Sequence, residues 1–115
     1  MDTPEPEDLR QRYRPRLEEE RRALQGASQE TRADRRPVEL DQQSVGRLSR
    51  MDALQQQAMA AAQETRRGAR LRAISAAIHR LAGEEFGCCD SCGAFIGLPR
   101  LDLDPTVTRC IGCAG

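Results

Sequence analysis

Four cysteines near the C-terminus form two Cys-x-x-Cys pairs, the spacing that a tetrahedral zinc ion requires. The pairs are Cys89-x-x-Cys92 and Cys110-x-x-Cys113, and 17 residues separate them. Each pair places two sulfurs on one tight turn, and the chain between them can fold back so that the pairs face each other. Gly93 follows the first pair, where such a turn often requires a positive φ. The sequence therefore predicts one structural Zn²⁺ bound by these four cysteines.

Disulfide pairing is the alternative use of these cysteines. No secretory signal precedes them in this sequence, and a chain without one is expected in the reducing cytoplasm, where thiolates bind metal rather than pair. Cys88, the fifth cysteine, is expected not to be a ligand, because the Cys89-x-x-Cys92 pair already fits. His79, the single histidine, is expected on an exposed helix face.

Catalysis is not expected from these residues. Four cysteines on the zinc leave no coordination position for water, which a catalytic zinc needs. The chain also has one histidine, no Ser-His-Asp constellation and no glycine-rich phosphate loop. An enzyme is therefore the least favoured class of function.

The composition predicts little globular core and no membrane span. The chain has 115 residues and only three aromatic ones, Tyr13, Phe86 and Phe95, so little apolar area is available to offset chain entropy. No run of about 20 apolar residues occurs. Eighteen acidic residues balance 18 basic ones, all of them arginine. Interleaved charges of both signs favour solvated helix faces over a one-signed nucleic-acid patch.

Two long helices should position the cysteine-rich segment. The first is predicted over 7–33, where Leu9, Tyr13, Leu17 and Leu24 recur at about helical spacing. Pro15 interrupts this helix, so its first turns are expected to be kinked, or its start to lie near Pro15.

The second helix is predicted from about Glu39 to Leu81, after a break at Asp34–Pro37. Its last apolar positions have heptad spacing: Leu71, Ile74, Ile78 and Leu81. Between Gln63 and Arg70 the apolar stripe disappears, which predicts a more exposed or mobile stretch. Gly83 is expected to end the helix as its C′ glycine.

The predicted fold is mainly α: an antiparallel coiled-coil helical hairpin followed by a small C-terminal C4 zinc finger. A break of a few residues between two helices favours antiparallel packing of one against the other. The domains are accordingly a frayed leader over 1–6, the hairpin over 7–83 with its turn near 34–38, and the finger over 84–115. The protein is expected to be a monomer.

The C-terminal segment resembles the DksA/TraR family of bacterial zinc-finger proteins. The residues that carry the resemblance are Phe86-Gly87-Cys88-Cys89-Asp90-Ser91-Cys92-Gly93, Ile96, Arg100-Leu101, Pro105 and Cys110-Ile111-Gly112-Cys113, preceded by a helix with Ile74, Ile78 and Leu81. The match is strongest over 71–113. It implies a zinc-binding transcription regulator that binds RNA polymerase and inserts the tip of its coiled coil into the secondary channel. Such a protein alters initiation without contacting DNA.

The tip of the hairpin departs from that family's pattern. Family members carry an Asp-x-x-Asp-x-Ala motif there, whose acidic groups act near the polymerase active site. This chain lacks the motif, and its acidic residues at the break are Glu39 and Asp41. Asp41 is the best substitute and Glu39 the second. An alarmone response, known for some members, depends on basic groups around the finger, whereas Asp102 and Asp104 lie there in this chain.

A DNA-binding finger of the GATA type is the competing function. Such fingers share the Cys-x2-Cys-x17-Cys-x2-Cys spacing, so spacing alone does not separate the two. They place a basic segment after the last cysteine, whereas only Ala114 and Gly115 follow Cys113 here. We therefore expect RNA polymerase as the partner and no direct binding to DNA or membranes.

Overall fold

The computed structural model describes residues 3–35 and 46–114. Within them the helices are α1 (Pro6–Glu30), a 3₁₀ helix (Arg32–Arg35), α2 (Arg47–Ala82), α3 (Leu98–Leu103) and α4 (Ile111–Ala114). The β structure of the described part is one isolated antiparallel bridge between Cys88 and Phe95. The described residues form two compact units, 3–22 with 72–114, and 23–35 with 46–71. These units cut across the predicted boundary between hairpin and finger.

Helix α1 begins at Pro6 and continues through Pro15. Pro6 suits a first helical position, where its missing N–H needs no partner, and Glu7 and Asp8 in the first turn favour the positive end of the helix dipole. The predicted alternative start near Pro15 is wrong. Pro15 and Gln11, whose carbonyl would have accepted the missing hydrogen bond, are both exposed, so water can satisfy that carbonyl.

The end of α1 lies earlier than the predicted Ala33. The helix ends at Glu30, and the backbone N–H and the side-chain hydroxyl of Thr31 both donate to the carbonyl of Ala27, at 3.1 and 2.8 Å. A side-chain hydroxyl that competes for a helical carbonyl favours a bend, and the chain continues as the 3₁₀ helix. Of the predicted turn near 34–38, residues 34 and 35 lie in this 3₁₀ helix, and residues 36–45 lie outside the described part.

Helix α2 begins at Arg47, so the predicted continuous helix from about Glu39 is wrong at Gly46. The Gly46 carbonyl accepts the hydrogen bond of the Arg50 N–H at 3.1 Å, as an N-cap residue does. Glycine is tolerated at that position and disfavoured in a helix interior. At the other end α2 stops at Ala82, and the Gly83 N–H donates to the Arg80 carbonyl. Gly83 does follow the helix, but its φ is not positive, so the helix closes with a 3₁₀ bond rather than a left-handed cap.

The first compact unit contains the apolar core of the described residues. Tyr13 and Leu17 of α1 are fully buried, as are Ile74 and Ala77 of α2. The Tyr13 and Phe86 rings lie 5.4 Å apart at an interplanar angle of 41°. The other buried apolar side chains of this unit include Leu9, Leu81, Phe86, Cys89, Leu101 and Pro105. The predicted apolar faces of both helices thus meet the finger in one core.

The second compact unit is held by a polar network instead of an apolar stripe. Oε2 of Glu64 accepts hydrogen bonds from the Ser28 hydroxyl at 3.1 Å and from Arg67 at 2.6 Å, and it lies 3.2 Å from Nη1 of Arg35. The Glu64 and Arg67 side chains are only 29% and 16% exposed. The prediction that the 63–70 stretch is the more exposed part of α2 is therefore wrong at these positions.

The two long helices pack as an antiparallel hairpin, as predicted. In the first unit Arg10, early in α1, donates to the carbonyl of Leu81, late in α2, at 2.6 Å. In the second unit Ser28, late in α1, contacts Glu64, earlier in α2. The described helices include none that is both long and apolar enough to cross a membrane.

Candidate metal centre

The four predicted zinc ligands lie together at one point of the structure. The Sγ atoms of Cys89, Cys92, Cys110 and Cys113 are all within 4.8 Å of one another, and those of Cys92 and Cys110 are 3.7 Å apart. A tetrahedron with zinc–sulfur bonds of about 2.3 Å has sulfur–sulfur edges of about 3.8 Å. The cluster therefore has the size and the donor set of a structural C4 zinc site.

Each cysteine pair lies on a tight turn closed by backbone hydrogen bonds. In the first turn the Gly93 N–H donates to the Cys89 carbonyl at 2.9 Å, and the Cys89 N–H donates to the Ala94 carbonyl at 2.8 Å. Gly93 has φ 77°, so the predicted need for a positive φ is confirmed. In the second turn the Cys113 N–H donates to the Cys110 carbonyl at 3.1 Å. Both turns point two sulfurs to the same side.

The chain around the first turn is fixed by the Cys88–Phe95 bridge. The Ile96 N–H donates to the Gly87 carbonyl at 2.7 Å. Gly87 has φ 83°, and a Cβ at this position would lie 2.9 Å from Cε1 of Phe95. The position therefore requires glycine both for its backbone conformation and for the close approach of the aromatic ring.

Two further hydrogen bonds join the halves of the finger. The Asp90 N–H, inside the first Cys-x-x-Cys pair, donates to the Thr108 carbonyl at 2.8 Å. Nε of Arg100, in α3, donates to the Arg109 carbonyl at 3.0 Å, just before the second pair. These bonds hold the two turns against each other, so that the four sulfurs face one centre.

The electrostatics of the four thiols favour a bound cation. Backbone N–H groups of Cys110 and Cys92 lower the pKa of Cys89 to about 6, because they stabilise its thiolate. Side-chain contacts with Cys110, Cys89 and Cys92 raise the pKa of Cys113 to about 12. One thiolate forms readily, whereas a further negative charge among these sulfurs is costly. A divalent zinc ion removes that repulsion and allows all four to bind as thiolates.

Cys88 and His79 lie outside the cluster of four cysteines, as expected. Cys88 is half-buried and does not belong to the four-sulfur group, and all five cysteines are free of disulfides. His79 lies on an exposed face of α2. Neither is placed to serve as a fifth donor.

A second cluster near the finger was not predicted from the sequence. Asp102 in α3 accepts two hydrogen bonds from Arg12, at 3.0 and 2.6 Å, and one from the Tyr13 hydroxyl at 2.8 Å. The hydrogen bonds of Arg12 and then Tyr13 lower the pKa of Asp102. Burial and then the bond to Asp102 raise the pKa of Tyr13. Arg16 donates to the Asp102 carbonyl at 2.5 Å. We call these four residues the Asp102 cluster.

The predicted tip residues cannot be placed relative to these clusters. Asp41 and Glu39 lie outside the described residues. The nearest described residue before them, Arg35, ends the 3₁₀ helix and contacts Glu64 in the second unit.

Comparison with known proteins gives matches to the C-terminal part of the chain and not to its whole length. Residues 84–115 match the prokaryotic dksA/traR C4-type zinc finger. A 43-residue segment is 42% identical to the RNA polymerase-binding transcription factor DksA of Haemophilus influenzae, and 40% identical to the proteins of that name from Escherichia coli and Salmonella typhimurium. The segment covers 37% of this chain, 30% of the Haemophilus protein and 28% of the other two. No solved structure matches the chain.

Proposed function

We propose that the protein regulates transcription by binding bacterial RNA polymerase, because residues 84–115 match the prokaryotic dksA/traR C4-type zinc finger. We propose further that it enters the secondary channel of the polymerase and modulates initiation without binding DNA. The observation that carries the proposal is a family-type finger, with its four thiols within 4.8 Å of one another, attached to a hairpin of two long helices.

In this proposal the zinc site holds the fold together and takes no part in catalysis. Cys89, Cys92, Cys110 and Cys113 would be its ligands, and Cys88 would stay unbound. Four thiolates fill a tetrahedral zinc, so no position is left for water or substrate. The metal would supply folding free energy to a segment that has few apolar residues of its own. The protein would act by contact with its partner in the cytoplasm, as a monomer.

The hairpin, residues 7–83, would extend from the finger into the secondary channel of the polymerase. A regular helix of the length of α2, 36 residues, rises about 54 Å. Its connection to α1 would carry the acidic groups that act near the polymerase active site, Asp41 first and Glu39 second. A carboxylate there can interact with the metal ions and the basic groups that handle nucleotide phosphates. The finger, residues 84–115, would remain on the outside of the polymerase.

Charge supports polymerase rather than a DNA duplex as the partner. Eighteen basic residues are balanced by 18 acidic ones, and several of the described arginines lie in ion pairs. Arg12 binds Asp102, Arg14 binds Glu18, and Arg67 binds Glu64. A chain whose positive charge is neutralised internally gains little from counterion release on DNA.

Transcription in vitro with purified polymerase tests the role of the tip. The wild-type protein should change the yield from a responsive promoter. Asp41→Asn should abolish that change while polymerase binding stays within about twofold, because a neutral isostere removes the charge but few contacts. Glu19→Gln is the matched control. Glu19 is an exposed residue of α1, and its neutralisation should leave regulation unchanged.

The outcomes separate the parts of the proposal. Regulation by Asp41→Asn equal to that of the wild type would remove the proposed role of Asp41. The same test on Glu39→Gln then shows whether the second acidic residue acts instead. Regulation that survives both changes would refute the acidic tip.

A further inference from the structure

The Asp102 cluster joins α1 to the part of the finger that lies between the two cysteine pairs. Asp102 lies in α3, Leu98–Leu103, between the two Cys-x-x-Cys pairs. Its partners Arg12 and Tyr13 are about 90 residues away in sequence. The contact is therefore a direct link between the zinc-binding loop and the N-terminal half of α1.

The cluster is more than an exposed ion pair. Tyr13 is fully buried, so its hydroxyl has lost contact with water and depends on Asp102 as its acceptor. Arg12 approaches both carboxylate oxygens of Asp102 with two nitrogens, the bidentate geometry that fixes orientation as well as charge. Losing Asp102 would leave a buried hydroxyl without its partner.

Arg16 adds contacts to the end of the same short helix. Its two terminal nitrogens donate to the carbonyls of Asp102 and Leu103, at 2.5 and 3.4 Å. The last carbonyls of a helix have no partner within it, and here α1 supplies one. Three residues of α1, Arg12, Tyr13 and Arg16, therefore bind one end of α3.

Helix α3 cannot hold this position alone. It has six residues, and isolated helices shorter than about 12 residues are marginal in water. It lies in the 17-residue segment that metal binding would close into a loop. Leu101 is buried in the first unit, and Asp102 follows it directly. Loss of the metal would remove the constraint of the four thiolates on both ends of this segment and leave α3 held only by its hydrogen bonds and by Leu101.

We propose that Asp102 couples metal binding at the four cysteines to the packing of the N-terminal half of α1. With zinc bound, α3 presents Asp102 to Arg12 and Tyr13, and residues 9–17 pack into the core. Without zinc, α3 loses its position and this part of α1 loses its partners. Coupling is reciprocal: the factor by which zinc binding strengthens the Asp102 contact is also the factor by which that contact strengthens zinc binding. This inference concerns the folded chain and does not depend on polymerase binding.

Hydrogen exchange on the full-length chain, zinc-loaded and after removal of zinc by a chelator, tests the coupling. In the wild type, amides of residues 9–17 should lose protection when zinc is removed. In Asp102→Asn they should be poorly protected with zinc present, and zinc removal should change them little. Competition with a metallochromic chelator should show about fivefold weaker zinc binding in Asp102→Asn.

Two variants make the test specific. Glu18→Gln breaks the exposed Arg14–Glu18 pair on the same helix without touching the finger, and it should behave as the wild type in both measurements. Arg12→Gln removes the charged partner of Asp102 but keeps Tyr13, and it should lie between the wild type and Asp102→Asn. This variant keeps the test decisive if Asp102→Asn fails to fold.

Two results would overturn the inference. One is unchanged protection of residues 9–17 when zinc is removed from the wild type. The other is zinc affinity in Asp102→Asn and Arg12→Gln equal to that of Glu18→Gln. Either would show that the cluster is a contact without linkage to the metal.

Discussion

The hydroxyl of Tyr13 donates a 2.8 Å hydrogen bond to Oδ1 of Asp102, and this bond joins the first long helix to the finger. The centroid of the Tyr13 ring lies 5.4 Å from that of Phe86, three residues before the first predicted zinc ligand, Cys89. One side chain thus supplies both an apolar and a polar contact. For this reason the N-terminal half of α1 belongs to the same compact unit as the finger.

Tyr13→Phe should lower the free energy of unfolding by about 1 kcal/mol. The change removes the hydrogen bond to Asp102 but keeps the ring against Phe86. Urea titration of the zinc-loaded protein, followed by far-ultraviolet circular dichroism, measures the effect. The control is Arg14→Gln, which breaks an exposed pair and should cost under about 0.5 kcal/mol. Equal stability of Tyr13→Phe and the wild type would mean that the hydroxyl contributes nothing.

Three glycine-to-alanine changes should have different effects. At Gly26, inside α1, the added methyl group meets nothing within 4 Å, so alanine should stabilise the protein by about 0.5–1 kcal/mol. At Gly93, with φ 77° and open space, only the backbone conformation opposes alanine, at a cost of about 1–2 kcal/mol.

Gly87→Ala should be the most destabilising of the three. It combines a φ of 83° with a Cβ that would lie 2.9 Å from Cε1 of Phe95, so the cost should exceed that at Gly93. Thermal unfolding of the three variants, side by side with zinc present, gives the order. A Gly87→Ala protein as stable as Gly93→Ala would contradict the close approach of Phe95.

The Glu64 network should make the second unit sensitive to acid. The Ser28 hydrogen bond, and then that of Arg67, lower the pKa of Glu64 below its ordinary value of 4.5. A group whose pKa is lowered by folding stabilises the fold above that ordinary value, and this stability is lost as the pH falls through the folded pKa. Glu64→Gln lacks this contribution. The stability difference between wild type and variant should therefore be largest near neutral pH and shrink below about 4.5.

Paired urea titrations at several pH values measure this difference. Protons also displace zinc from thiolates, but this occurs in both proteins and largely cancels in the comparison. A difference that stays constant from neutral to acidic pH would show that ionised Glu64 does not stabilise the unit.

Patterns over a few neighbouring residues predicted the four-cysteine site and the buried face of α1. The Cys-x-x-Cys spacing identified the four sulfurs that the structure brings together, and the helical spacing of Leu9, Tyr13 and Leu17 identified the buried face of α1. Both signals depend on residues a few positions apart, where chain geometry alone fixes which side chains are neighbours.

Contacts between distant segments were not visible in the sequence. The sequence identifies Asp102 only as an acidic residue of the finger, because no residue close to it in sequence indicates that Arg12 and Tyr13 are its partners. The missing apolar stripe predicts exposure at Glu64 and Arg67, although their spacing of three residues is that of a helical ion pair. That spacing was the one available signal, and it does not show that Ser28 and Arg35 complete the network.

Substitution of single cysteines tests the ligand assignment. Cys110→Ser should lose the zinc and the folded finger, because three thiolates bind the metal far less tightly than four. Cys88→Ser, a change to a neighbour of a ligand, should keep one zinc per chain. Metal analysis with circular dichroism is the measurement. If Cys88→Ser lost its zinc and Cys110→Ser kept it, Cys88 would be a ligand and Cys110 would not, the reverse of the proposed assignment.

The choice of partner is tested most directly by one titration of the zinc-loaded chain against two targets, purified bacterial RNA polymerase and bare promoter DNA. We expect saturable binding to polymerase and no shift of the DNA at physiological salt, since the net charge is zero and little counterion release is available. Tight, salt-sensitive binding to the DNA, with no affinity for polymerase, would rule out the proposed partner and favour a DNA-binding finger.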